Sequence, residues 1–270
     1  MIHKICDIQN TLINKKPLIH CITNPISINQ CANAILAVGA RPIMAEHPKE
    51  VAEITETSNG LMLNIGNITD VRIASMMISL KAAQEKAIPS VLDVVGIACS
   101  HFRREYVFEL LKKYHIQMIK GNYSEIMALH DQTYYSPGVD SQTTLDWNTV
   151  VQSSIDLAVK YKTVILATGK TDIVTDGNKM VFVYNGTPQL ATVTGTGCML
   201  GALCSTFASV TDPLQAAISA CATFGICGQL AETDKGSGSF MVNLTDQLST
   251  IQAEKILKYL NLEEKQIEKF

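Results

Sequence analysis

The sequence predicts an α/β fold: a central, mostly parallel sheet with helices on both faces, in a single domain spanning residues 1–270. Three observations predict it. Short β-rich runs alternate with longer helical patterns, which implies βαβ units. Hydrophobic residues make up 47% of the chain and charged residues 17%, against about 25% charged in an ordinary soluble domain, so a disordered chain is excluded. No linker, repeat or low-complexity segment divides the chain.

In order, residues 18–23, 42–45, 61–65, 90–95, 117–120 and 164–168 read as buried strands, mostly bounded by Gly, Pro or Asn. Between them, residues 28–38, 71–86, 106–114 and 147–161 carry helical patterns. Residues 172–175 and 180–184, joined by Asp176-Gly177-Asn178-Lys179, read as a hairpin. From Thr196 the chain reads as helical to its end, in segments near 197–210, 213–231 and 238–261.

The 22 basic and 25 acidic residues leave a net charge of −3, so nothing global recruits nucleic acid or an anionic membrane. Between residues 180 and 231 Asp212 is the sole charged side chain. The run 213–231 approaches the roughly 20 residues of a bilayer span, but Gln215, Ser219, Thr223 and Gln229 interrupt it and a glycine-rich stretch precedes it. A membrane span is therefore not expected. Lys4, Asp7, Lys15 and Lys16 break any signal-peptide core, and a cytoplasmic location is expected. Eight cysteines form no C-x-x-C pair, so structural zinc is not indicated. Most read as reduced, buried small hydrophobes.

Ligands of open α/β sheets gather beyond the C-terminal strand ends. Ala167-Thr168-Gly169-Lys170-Thr171 mimics the end of a P-loop, but Val164 stands where the motif needs glycine, and a strand follows at once. Thr168 can still face a ligand, or be a turn residue. Thr194-Gly195-Thr196-Gly197-Cys198-Met199-Leu200-Gly201 opens an apolar helix. Its backbone N–H groups make an anion site without any cation; a plain glycine turn and a dinucleotide site are the competing readings. Against the dinucleotide site, the third glycine comes one position late and no acidic residue follows at the expected distance. Cys198 falls in the first helical turn, where a thiol pKa is lowered, so it can accept a proton or act as a nucleophile; otherwise it is a buried small side chain. Asp93 and Glu125, near neighbouring strand ends, can hold magnesium through water; singly, each reads as a helix cap or surface acid. His20 reads as a satisfied core residue. Asn24 closes the first strand, and Met44 fits a core or the wall of an apolar pocket.

Ile19-His20-Cys21-Ile22-Thr23-Asn24, Val38-Gly39-Ala40-Arg41-Pro42-Ile43-Met44, Leu63-Asn64-Ile65-Gly66, Lys120-Gly121-Asn122 with Glu125, and Val193-Thr194-Gly195-Thr196-Gly197-Cys198 together resemble hydroxyethylthiazole kinases. The resemblance runs from about residue 17 through Phe240. It implies a ribokinase-like fold and a homotrimer with active sites at subunit interfaces. It also implies transfer of the ATP γ-phosphoryl group to the hydroxyl of 4-methyl-5-(2-hydroxyethyl)thiazole in thiamine salvage. Carried over, Met44 and Gly195 contact the thiazole, with Asn24 nearby. Lys120 and Thr168 contact ATP, the backbone amides around Gly197 hold phosphoryl oxygens, and Asp93 and Glu125 organise Mg2+. Cys198 stands where related sugar and pyrimidine kinases carry an aspartate base. The chain departs from the family at Asp93-Val94-Val95-Gly96, where Asp-Pro-Val-Gly is usual, in the loop through Arg103, and at Thr196, often alanine. A kinase of a hydroxymethylpyrimidine or pyridoxal-type alcohol, and a nucleotide-binding regulator without catalysis, are the alternatives. A cysteine hydrolase lacks a histidine partner.

Overall fold

A computed structural model describes residues 2–136 and 145–267. The sheet supplies side chains to an apolar core on each of its faces. In β6 (Val164–Thr168), Leu166 joins one apolar cluster while Ile165 and Ala167 join the other. Side chains alternate across a strand, so a sheet covered on both faces needs apolar residues at consecutive positions. That is why the strand Gly60–Asn64 and β6, both in the interior of the sheet, are mostly hydrophobic runs.

The other strands are β1 (Leu18–Ile22), β2 (Arg41–Ile43), β3 (Gly60–Asn64), β4 (Ser90–Asp93), β5 (Met118–Asn122), β7 (Asp172–Thr175), β8 (Lys179–Val183) and β9 (Leu262–Gln266). They form one sheet in the order β2-β1-β3-β4-β5-β6-β7-β8-β9. Pairings from β2 through β6 are parallel; those from β6 through β9 are antiparallel.

The helices are α1 (Ile2–Lys15), α2 (Ile28–Ala37), α3 (Val51–Glu56), α4 (Asp70–Glu85), α5 (His101–Lys113), α6 (Tyr123–His130), α7 (Trp147–Tyr161), α8 (Thr196–Ala208), α9 (Pro213–Leu230), α10 (Ser237–Thr250) and α11 (Ala253–Tyr259). Helices α4 to α7 cover one face; α1, α2 and α8 to α11 cover the other. The charge-poor stretch is accounted for by α9, whose residues 215–228 are all buried. An all-round apolar helix is an interior one. Asp212, its single charge, accepts from Gln215 N at 2.9 Å as the N-cap, ahead of Pro213. Among the described residues, no helix is long and apolar enough to cross a membrane. Cys21, Cys31, Cys204, Cys221 and Cys227 are buried and unpaired, as expected.

Three expectations need correction. The helical segment near 238–261 breaks at Ile251 into α10 and α11. The chain is not helical to its end, because residues 262–266 pair with β8 as an edge strand. Four of those five residues are exposed and polar, so backbone pairing, not burial, holds the strand. The helix read from 106 begins at His101, because Ser100 caps it by accepting from Arg103 N at 3.3 Å.

Candidate active site

Parallel register places Asn64 of β3 beside Asp93 of β4, and Asp93 beside Lys120 of β5. Register partners share a face, and here that face lies under α8. A Cβ on Gly201 would come 3.3 Å from Asp93 Oδ2. The row is buried: Asn64 and Asp93 are 0% exposed and Lys120 4%. Lys120 Nζ donates to Asp93 Oδ1 at 3.0 Å, and Asn64 Nδ2 donates to Asp93 Oδ2 at 2.9 Å. Burial pushes the Asp93 carboxyl up, while Lys120 and Asn64 hold it back. Burial also works against the Lys120 ammonium, but Asp93 and Glu125 outweigh it and raise that pKa above its ordinary value.

Above this row sits the start of α8. Gly195 is its N-cap with φ +90°, a left-handed conformation that side chains disfavour, and a Cβ there would press on Ser27 Cβ at 3.2 Å. Thr196 Oγ1 donates to Leu190 O at 2.8 Å and pins the entry to the helix. The first-turn amides lack intrahelical acceptors, so an anion can approach them. The cation absent from this stretch of sequence comes from β5: Lys120 Nζ lies 3.5 Å from the position a Gly197 Cβ would take.

Cys198 lies in that first turn, half-buried. Its Sγ accepts from Asn24 Nδ2 at 3.2 Å and from Asn64 Nδ2 at 3.3 Å. The expectation of a lowered thiol pKa is overturned. Burial and the Asp93 charge push the thiol up, and Ser27, Lys120 and Asn24 only partly offset them. Met44, one residue past β2, packs on the same small apolar cluster as Cys198, formed around Cys21, Cys31, Ile35 and Met62. His20 is the satisfied core residue it was read to be. Its ring nitrogens meet Thr55 Oγ1 and Ala45 O, both at 2.9 Å, and burial lowers its pKa.

Glu125 lies in the first turn of α6 and completes a capping box with Asn122. Its Oε2 accepts from Asn122 N and its Oε1 from Gly96 N, each at 2.7 Å. It therefore ties the loop after β4 to the start of α6. Burial, then Asp93, pushes its pKa to about 7 against the pull of Lys120 and the two amides. Thr168 ends β6 opposite Asn122, its hydroxyl donating to Gly121 O at 3.4 Å. Residues 169–171 turn directly into β7, as the exclusion of a P-loop requires.

Asp93 and Glu125 do not form a ready metal cage. The two oxygens of Asp93 face Lys120 and Asn64, and those of Glu125 face two backbone amides. Among the described residues no group of three or more His, Cys, Asp or Glu side chains could hold an ion. Direct ligation by Asp93 would have to compete with the Lys120 ammonium and the Asn64 amide for its oxygens.

Two residues here are quoted in the sequence reading but given no role there. Asn64 was visible as the one polar residue closing an apolar strand. Arg103, whose guanidinium lies against Gly96 and donates to Val95 O at 3.2 Å, gave no local signal.

The chain has known relatives. Residues 9–254 match the model of the hydroxyethylthiazole kinase family. The chain belongs to that family. A hydroxyethylthiazole kinase 2 from Clostridium botulinum strain Hall is 43% identical over 94% of this chain and 98% of its own. The solved hydroxyethylthiazole kinase protein of Pyrococcus horikoshii OT3 superposes with a TM-score of 0.90 at 35% identity, covering 98% of this chain and 100% of that one. A ribokinase-like superfamily protein from Enterococcus faecalis shares the fold alone, with a TM-score of 0.65 at 14% identity over 90% of this chain and 92% of its own. The architecture is thus ribokinase-like, and the chain is a kinase of the hydroxyethylthiazole kinase family.

Proposed function

We propose that this kinase transfers the γ-phosphoryl group of ATP to the hydroxyl of 4-methyl-5-(2-hydroxyethyl)thiazole, in thiamine salvage, with the whole chain working as one catalytic domain. The observation that carries the reading is the position of Cys198. Its sulfur stands at the start of a glycine-capped helix, beside both the buried Asp93–Lys120 pair and the apolar patch that Met44 borders.

Met44, Gly195 and Asn24 hold the thiazole in this reading. Lys120, Thr168 and the Gly197 amide hold ATP. Phosphoryl transfer passes through a loose transition state, so positioning and charge stabilisation dominate. The first-turn amides of α8 stabilise the transferring oxygens as an oxyanion hole does, and Lys120 beneath Gly197 adds fixed positive charge. As the oxygen–phosphorus bond forms, the hydroxyl proton passes to the Cys198 thiolate and ADP leaves with the electrons of the broken bond. Since the thiol is raised, the thiolate is a minority form at neutral pH. Magnesium bound with the nucleotide would offset phosphate charge, and Asp93 and Glu125 would hold it through water.

We further place the enzyme in the cytoplasm as a homotrimer with active sites between subunits. Light scattering should then give three times the 29.4 kDa chain mass; a monomer mass contradicts the assembly.

The test of function is formation of thiazole phosphate from Mg·ATP and the thiazole alcohol, run beside hydroxymethylpyrimidine and pyridoxal with ADP release as the common readout. The thiazole alcohol should give the highest kcat/KM. A higher value for either rival assigns a different substrate, and ATP binding without turnover on any of them makes the chain a regulator.

A further inference from the structure

We infer that Asn64 is a positioning residue for Cys198, its carboxamide fixing the direction in which the sulfur faces the reacting hydroxyl. This rests on the reading of Cys198 as the proton acceptor. A carboxamide has two N–H donors and two acceptor lone pairs, and Asn64 uses all four. Nδ2 donates to Asp93 Oδ2 at 2.9 Å and to Cys198 Sγ at 3.3 Å; Oδ1 accepts from Gly66 N at 2.8 Å and from Asn24 Nδ2 at 3.1 Å. The orientation is determined, because a backbone N–H requires an oxygen and a carboxylate requires a donor.

Asn24 sends its amide to the same sulfur at 3.2 Å. Two amide donors claim the two lone pairs of a thiol sulfur. The S–H bond, or the third lone pair of the thiolate, is directed away from both amides, and Ser27 is the further side chain that hydrogen-bonds this sulfur. Asn24 comes from the loop after β1, whereas Asn64 ends a central strand and is 0% exposed. Asn64 is therefore the rigid member of the pair. A reactive group placed about 1 Å off can cost roughly a hundredfold in rate, which is the scale of effect at stake.

The test is a double-mutant cycle on the trimer or whatever assembly the purified enzyme adopts, using Asn64→Ser with and without Cys198→Ala. Serine retains a short donor near Asp93 but cannot span to the sulfur. Expected is a fall in kcat of about 10- to 100-fold for Asn64→Ser, with KM for ATP and thiazole alcohol changed by less than about threefold. In the Cys198→Ala background the same substitution should cost less than about threefold. An equal loss in both backgrounds overturns the inference, since Asn64 would then act through Asp93 or through folding. Unchanged kcat in the cysteine-containing enzyme overturns it as well. Full kcat in Cys198→Ala alone is a separate result: it removes the proton-acceptor reading and the inference with it. If Asn64→Ser does not fold, Asn64→Leu, which keeps the shape and loses both donors without setting a carboxyl against Asp93, takes its place with the same outcomes.

Discussion

Lys120→Met removes the ammonium that lies 3.0 Å from Asp93 Oδ1 and keeps most of the side chain's length. At that separation and an effective dielectric near 20, the gross attraction is about 5–6 kcal/mol. Part of it is already cancelled by desolvation. Breaking one partner of such a buried pair costs about 3–5 kcal/mol, which for a chain of this size is a fall in Tm of about 6–20 °C. Without Lys120, Asp93 keeps its bond from Asn64 but has lost its charge partner, so its folded pKa rises further above the unfolded value. A raised carboxyl contributes stability below the unfolded pKa and loses it as pH rises through the folded pKa. The deficit of Lys120→Met should therefore be largest near pH 7.5 and shrink at pH 5. Asp93→Asn in the same background should recover more than half of it, because no unpaired carboxylate is then buried. Urea unfolding of the wild type, the single variant and the double variant at both pH values measures all of this. A Tm within about 2 °C of wild type, or a deficit that grows on acidification, refutes the reasoning.

Glu125 is raised to about 7 from an ordinary 4.5, so it costs stability as pH climbs through that window. Glu125→Gln should flatten the pH dependence of unfolding there by about 3 kcal/mol; an unchanged slope places its pKa elsewhere. Gly195→Ala forces a side chain into φ +90° and onto Ser27 at 3.2 Å. It should lose about 1–2 kcal/mol in urea melts and at least about tenfold in kcat/KM, and wild-type kinetics would show that the cap geometry is not needed. With Cys198 as the proposed proton acceptor, its raised thiol predicts a wild-type kcat that rises with pH above neutrality, a limb that Cys198→Ala should lack; a flat wild-type profile contradicts that role.

The parallel sheet and most of its helices were legible because two covered faces impose continuous apolar runs. Edge strand β9 was not, since Glu263, Glu264, Lys265 and Gln266 carry no burial signal and pair only through their backbone. In the site, Gly195 and Cys198 could be read locally, as a turn followed by a helix start. Pairing of Asp93 with Lys120 and Asn64 could not be read that way. It depends on the register of three strands whose members lie far apart in sequence. The same gap explains the thiol. The helix end that favours a thiolate is visible in sequence, but the burial of the thiol and the Asp93 charge that oppose it are visible only in space. Glu125 is a mixed case: the helix-cap reading gives its bond from Asn122 N, whereas its bond from Gly96 N depends on a loop distant in sequence.

The most direct test of the account is kcat for thiazole phosphate formation by Cys198→Ala, measured at saturating Mg·ATP and thiazole alcohol beside the wild type. The expected result is an active enzyme slowed by about 10²-fold or more, with both KM values little changed. A wild-type kcat in that variant would contradict the assignment of the sulfur at the start of α8 to the proton-accepting role.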